Sequence, residues 1–236
     1  MTDLSGRVIA IAGAGGGLGP LVLARLAEAG ATLAATDLDQ QRLDALGDQL
    51  GLPAERWDAR VVDLLDEDAA RAWCAALTER FGAVDGLLHL VGGWRGGQPL
   101  HEAPLADWAL LHDLLVRTVQ HTTRGFHDSL VSSRHGRFVL ISAKQAQAPT
   151  SDNASYAAAK AAAEAWTLAL AEGFKGTAAT ANIIVVNAIL TPQMREADPE
   201  KEYPSFTPAE QIADAVAFLC SDAAARMNGQ RLHLHS

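Results

Sequence analysis

The chain has 236 residues, 49% of them hydrophobic and 20% charged, with a formal net charge of -9 at pH 7. That length suits one large α/β domain or two small ones with ample core. The acidic balance argues against a nucleic-acid surface, which needs an excess of Lys and Arg to meet phosphates. No apolar run approaches the ~20 residues that span a bilayer. The opening "MTDLSG" has no basic segment of the kind that starts a secretory signal, so a cytoplasmic location is expected.

In chain order, "RVIAIAG" (Arg7–Gly13) reads as a buried strand and "LGPLVLARLAEAG" (Leu18–Gly30) as a helix stopped by glycine. "ATLAATD" (Ala31–Asp37) is a second strand, followed by a polar helix over Gln40–Leu50. A third strand covers Arg56–Leu64, and an acid-capped amphipathic helix follows over Asp66–Gly82. A fourth strand covers Gly86–Gly93, a long helix Leu105–Ser132 and a fifth strand Gly136–Ser142. An alanine-rich helix around Tyr156 precedes a sixth strand, Ala181–Ile189. The stretch Thr191–Phe206, rich in charge and proline, reads as a mobile surface segment near the site. A helix near Pro208–Ser221 and the strand "QRLHLH" close the chain. This alternation calls for α/β architecture: one domain over residues 1–236, a doubly wound parallel sheet of Rossmann type with helices on both faces.

"AGAGGGLG" (Ala12–Gly19) sits between the first strand and the first helix. Glycines there admit positive φ and a close approach of backbone to a pyrophosphate, which the helix N-terminus attracts. Gly13, Gly17, Leu18 and Gly19 are therefore candidate cofactor contacts, and Gly92 is a candidate where the chain leaves the fourth strand. Asp37 ends the second strand. A carboxylate there accepts hydrogen bonds from an adenosine ribose and repels a 2′-phosphate, so NAD(H) is expected over NADP(H). A helix N-cap is its plainer role. No Arg or Lys lies within the glycine loop, and Asp39 adds a second acid. Asp63 is placed to bond the adenine amino group or to cap a helix.

Tyr156 and Lys160 are four apart on the alanine-rich helix and so share one face. A free tyrosine titrates near 10, so it needs a neighbouring cation to exchange protons at neutral pH. Lys160 is the candidate cation and can also reach a ribose hydroxyl. An aromatic beside a solvated lysine is the plainer reading of the pair taken alone.

With "GAGGGLG", Asp37, Asp63, "YAAAK" and "NGQ" before the last strand, nearly the whole chain resembles the short-chain dehydrogenase/reductase family. The resemblance implies that Tyr156 is the catalytic acid/base, that Lys160 binds nicotinamide ribose and lowers the tyrosine pKa, and that the protein is a homodimer or homotetramer. In such assemblies the long helix and the Tyr156 helix form the dimer interface. Four departures stand out. Ala143 occupies the position of the family's serine, while Ser142, one residue earlier, should face the other side of the strand. Leu115 occupies the position of the family's asparagine, removing the expected water-linked proton relay behind the lysine. "HLVG" (His89–Gly92) replaces "NNAG". The "PG" segment after the sixth strand is missing. Ala143–Lys144, "VGGWRGG" (Val91–Gly97) and "YPSFTP" are similar to dihydropteridine reductases within that family, which lack the serine and reduce an imine-like pterin ring.

Trp94 is either a packing aromatic or a flat wall for a ring, and Lys144 a solvated lysine or a second proton source. Asn153 or Asp152 is expected to cap the Tyr156 helix. Histidines 101, 112, 121, 127 and 135 form no metal-binding spacing, so no metal is expected. Cys74 and Cys220 read as small buried thiols. Two functions remain: a reductase acting on a small carbonyl- or imine-like substrate, and a degenerate relative that binds dinucleotide without turnover.

Overall fold

The computed structural model describes residues 2–235. Its strands are β1 (Val8–Ala12), β2 (Thr32–Asp37), β3 (Trp57–Val61), β4 (Gly86–His89), β5 (Arg137–Ala143), β6 (Thr180–Val186), β7 (Ala188–Leu190), β8 (Phe206–Pro208) and β9 (Arg231–His233). Seven of them form one parallel sheet in the order β3-β2-β1-β4-β5-β6-β9. The short strands β7 and β8 pair separately. The helices are α1 (Gly19–Glu28), α2 (Gln40–Leu50), α3 (Glu67–Phe81), α4 (Leu105–His112), α5 (Thr118–Ser132), α6 (Ala154–Gly173), α7 (Pro192–Ala197) and α8 (Ala209–Leu219). This is the single Rossmann-type domain that the alternation of elements predicts.

Strand side chains divide by the two-residue period. Ile9 and Ile11 of β1, Val139 and Ile141 of β5, and Ile184 and Val186 of β6 pack with α1 and α8 residues such as Leu23 and Val216. Val8, Ala10, Phe138, Leu140, Ile183 and Val185 pack on the other face with Leu77 of α3 and Phe126 of α5. Each such Leu, Ile, Val or Phe contributes roughly 1.5–3 kcal/mol by leaving water. Burial on both faces explains why these strands read as continuous apolar runs. Strand order reverses between β1 and β4, and that opens a crevice at their C-terminal ends, the usual ligand site of such sheets.

Four elements depart from the sequence reading. The sixth strand stops at Val186, and Ala188–Leu190 turns away to pair with β8. The stretch from Thr191 to Phe206 contains α7, with the Thr191 hydroxyl accepting from the Met194 amide (3.3 Å) and Pro192 in its first turn. A six-residue helix carries too little periodicity to stand out. The fourth strand ends at His89, short of Gly92. The long helix is continuous from Leu105 to Ser132 but widens into a π turn at Asp113–Arg117, where the Thr118 amide bonds the Asp113 carbonyl five residues back. No described helix is long and apolar enough to cross a membrane.

Candidate active site

A cleft of about 900 Å³ occupies the crevice. The glycine loop forms one wall. Gly13 has φ +78°, and a Cβ there would lie 2.8 Å from the Val91 amide nitrogen. A Cβ on Gly19 would run into the Ala14 carbonyl oxygen, so the loop folds flat against the helix start only as glycine. Gly17 faces Thr191, whose methyl would sit 3.3 Å from an added Cβ. Helix α1 begins with no side-chain cap. Among the described residues, the Gly17 and Leu18 amides find no acceptor in the chain. Unpaired amides at a helix N-terminus, walled by glycine, fit the pyrophosphate of a dinucleotide.

Asp37 lies at the adenosine end. Its carboxylate accepts from the Gly15 amide at 3.0 Å and the Asp39 amide at 3.2 Å. The helix cap here is Asp39, which accepts from the Gln41 and Arg42 amides. Arg42 comes from α2, lies against Gly15 and pairs with Asp39 at 3.3 Å. The sequence reading, confined to the loop itself, missed this cation. Asp63 also lines the cleft, just beyond the end of β3, and accepts from the Leu65 amide at 2.9 Å. Gly92 lines the cleft beside Val91 and Gly93.

Tyr156 and Lys160 line the opposite end. Small residues dominate α6, so the helix packs close to the sheet and carries both side chains inward. The Tyr156 hydroxyl makes no hydrogen bond among the described residues. Lys160 is buried, and its ammonium donates to the Ile141 carbonyl at 2.9 Å and lies 6.0 Å from the Tyr156 ring centre. In the free protein burial, and not Lys160, sets the state of the phenol. Burial pushes the Tyr156 phenol up to about 12, and at this separation the ammonium does not reverse it. Burial likewise brings Lys160 down to about 8, against the opposing pull of Glu164. The free protein therefore holds a protonated phenol and a cation that gives up its proton only in mild alkali.

Ser142 is buried and is among the residues lining the cleft, but its hydroxyl is already engaged. Its hydroxyl donates to Glu164 at 2.6 Å. Glu164 is 2% exposed and also accepts from Arg231 at 2.6 Å and Gln147 at 3.3 Å. Tyr156, Lys160 and Glu164 are spaced four apart, so a longer look along that face of α6 would have found the carboxylate. Ala143 is buried, and Lys144 is exposed and does not line the cleft. Leu115 packs with Leu111, Val116 and Ala159, leaving no polar group at that position. Trp94 is 55% exposed at the cleft mouth, near Leu110 and Leu114. Asn153 holds the N-cap position of α6 without a side-chain cap, and its side-chain Oδ1 instead accepts from the Thr150 amide at 2.9 Å. Both cysteines are buried and unpaired.

His89 entered the sequence reading only as the first residue of "HLVG", with no role of its own. It is 1% exposed at the end of β4, and its Nε2 lies 3.1 Å from the Thr118 hydroxyl. Burial and the charge of Lys160 push it down to about 3, so it is a neutral imidazole.

A family model described as enoyl-(acyl carrier protein) reductase matches residues 13–236. The chain belongs to the short-chain dehydrogenase/reductase family. It is an oxidoreductase of that type, with the NAD(P)(H)-binding fold of its relatives. It is 28% identical to the (2S)-[(R)-hydroxy(phenyl)methyl]succinyl-CoA dehydrogenase subunit BbsD of Thauera aromatica, covering 98% of this chain and 96% of the relative. It is 29% identical to the 2,3-dihydroxy-2,3-dihydro-p-cumate dehydrogenase of Pseudomonas putida, covering 96% and 92%. Among solved structures, an NADPH-bound short-chain oxidoreductase of Pseudomonas aeruginosa superposes with a TM-score of 0.89 at 26% identity, covering 99% and 97%; it is described as containing an atypical catalytic center.

Proposed function

We propose that the protein is an NAD(H)-dependent reductase in which Tyr156 gives a proton to a small carbonyl- or imine-like substrate. One observation carries this reading: a single cleft pairs an unpartnered phenol with an uncapped helix start. The cofactor supplies hydride when bound, and this chain's residues do the rest. The Gly17 and Leu18 amides receive the pyrophosphate, with Gly13 and Gly19 giving it room. Asp37 accepts from the adenosine ribose, Asp63 from the adenine amino group, and Gly92 allows close approach of backbone beside the nicotinamide. Lys160 donates to the second ribose and stabilises the phenolate that Tyr156 leaves behind.

Burial keeps the Tyr156 phenol protonated at neutral pH, the form that can give a proton to a substrate being reduced. With Ala143 in place of serine, the substrate oxygen or nitrogen has one orienting group fewer. An electron-poor ring such as a quinone or quinonoid pterin depends least on that group, and Trp94, Leu110 and Leu114 offer it a flat apolar wall. Asp37 supports a preference for NAD(H), because its charge repels a 2′-phosphate. Arg42 is the group that opposes this preference, and Asp39 holds it. Helices α5 and α6 offer the faces for a homodimer or homotetramer.

Calorimetric titration with NADH and NADPH, then turnover on ketones, quinones and pterins, tests the proposal. NADH should bind more tightly. Tyr156→Phe should lose turnover by roughly 10²–10⁴-fold with NADH affinity kept. A parent protein that binds NADH but reduces none of the panel overturns the reading and leaves a dinucleotide-binding subunit without turnover.

A further inference from the structure

Two buried groups on the same face of the sheet have complementary unused hydrogen-bonding capacity. The first is His89. The Thr118 hydroxyl has one proton and donates it to the Leu114 carbonyl at 2.7 Å. It can therefore only accept from His89, which fixes the imidazole as the Nε2–H tautomer. Nδ1 is then a bare lone pair, fully buried and with no partner among the described residues. A buried acceptor left unmet is costly.

The second is Lys160. Its ammonium has three protons and uses one, on the Ile141 carbonyl. The ladder sets these groups close together. His89 pairs with Leu140, the residue just before Ile141, and its side chain shares the face on which Leu140 meets α6 and α5. His89 does not line the cleft, whereas Lys160 and the Thr118 that His89 bonds both do.

We propose that His89 is a positioning residue for Lys160, its Nδ1 lone pair receiving a proton of the ammonium through one enclosed water. The bond holds the cation in place behind Tyr156, a task for which Leu115 offers no polar group. The role in turnover rests on the reductase reading, whereas the bond itself does not. Other charged or titratable groups face this pair. Tyr156 and Glu164 come from α6, with Glu164 held by Arg231 of β9. From the π turn, Asp113 lines the cleft that Lys160 also lines and pairs with Arg117.

Two substitutions separate this role from scaffolding. His89→Asn keeps an acceptor near the Nδ1 position and gives up the bond to Thr118. His89→Gln keeps a donor near Nε2 and gives up the acceptor. The readout is the titration of Lys160 in the free protein, followed by NMR with ¹³Cε-labelled lysine. The parent and His89→Asn should titrate alike, while His89→Gln should titrate about one unit lower, having lost a charge-assisted acceptor. The alkaline limb of reductive kcat/KM should move with it. A purely structural histidine would give the reverse, with Gln spared and Asn disturbed, and that result overturns the proposal. So does an unchanged Lys160 titration in His89→Gln.

If neither variant folds, ¹⁵N-histidine spectra of the parent decide. The His89 Nδ1 resonance should move as Lys160 deprotonates near pH 8, and a static resonance overturns the bond. Absence of turnover in the parent would sink the reductase reading and leave these NMR outcomes standing.

Discussion

Lys160 is governed by two opposing influences, and their balance sets a measurable pH limit. Burial favours the neutral amine, and Glu164 favours the ammonium; burial wins and brings the group down to about 8. The cation is thus complete below that value and lost above it. Tyr156 keeps its proton far beyond this range. Reductive kcat/KM should be flat below about pH 7 and fall about tenfold per unit above about pH 8, with a one-proton slope. A profile flat to about pH 9.5 would show that the ammonium is not required. The same residue separates what the sequence displays from what it hides. Tyr156 and Lys160 are legible because a spacing of four is a local fact about one helix. The surroundings of Lys160 are not: the Ile141 carbonyl, Arg231 behind Glu164, and His89 reach it through strand pairing and helix packing. Those groups come from distant parts of the chain, and no short motif records them. The upward push of burial on the Tyr156 phenol is hidden for the same reason, since burial depth is a property of the packed domain.

Among the elements, the glycine loop and the start of α1 behave as one rigid unit. Gly19 meets the Ala14 carbonyl at a distance no Cβ tolerates, and backbone on both sides leaves nothing flexible to yield. Gly19→Ala should therefore cost about 1–3 kcal/mol of stability by overpacking. It should also weaken NADH binding roughly tenfold or more by turning the Gly17 and Leu18 amides away from the pyrophosphate. Chemical denaturation and calorimetry read the two effects separately; a Gly19→Ala variant with parental stability and affinity would refute the rigid-unit account. This loop was legible because its context, strand then turn then helix, is contiguous. Arg42 was not, because α2 folds back beside Gly15 only once β2 and β1 are paired. The α7 segment shows a different limit. Thr191 followed by Pro192 is a proper helix start, but six residues cannot display a period of about 3.6 convincingly.

At the scale of the whole molecule, His89 ties folding stability to acid. It is held neutral at about 3 in the fold, against 6.5 as its ordinary value. Between those values the unfolded chain binds a proton that the folded chain refuses, so stability rises with pH through this window and is lost as pH falls below 6.5. By about pH 5 the loss attributable to this one group is about 2 kcal/mol. Denaturant melts at about pH 7 and about pH 5 should show it in the parent. His89→Gln should narrow the gap by about that amount, and an unchanged gap would mean the imidazole is reached by solvent protons without unfolding. The doubly wound sheet itself was readable from the alternation of runs alone, because a strand buried on both faces has a composition that helices and loops do not share.

The π turn at Asp113–Arg117 has one further consequence. A wide turn is equivalent to one extra residue spliced into an α-helix, and a single residue corresponds to about 100° around the axis. The half of the helix before the splice, which carries Leu110, is therefore swung by that angle relative to the half that grips the sheet through Val119 and Phe126. The rim over the cleft and the anchor beneath it are phased independently, so the shape of the mouth can drift from one relative to another while the foundation stays fixed.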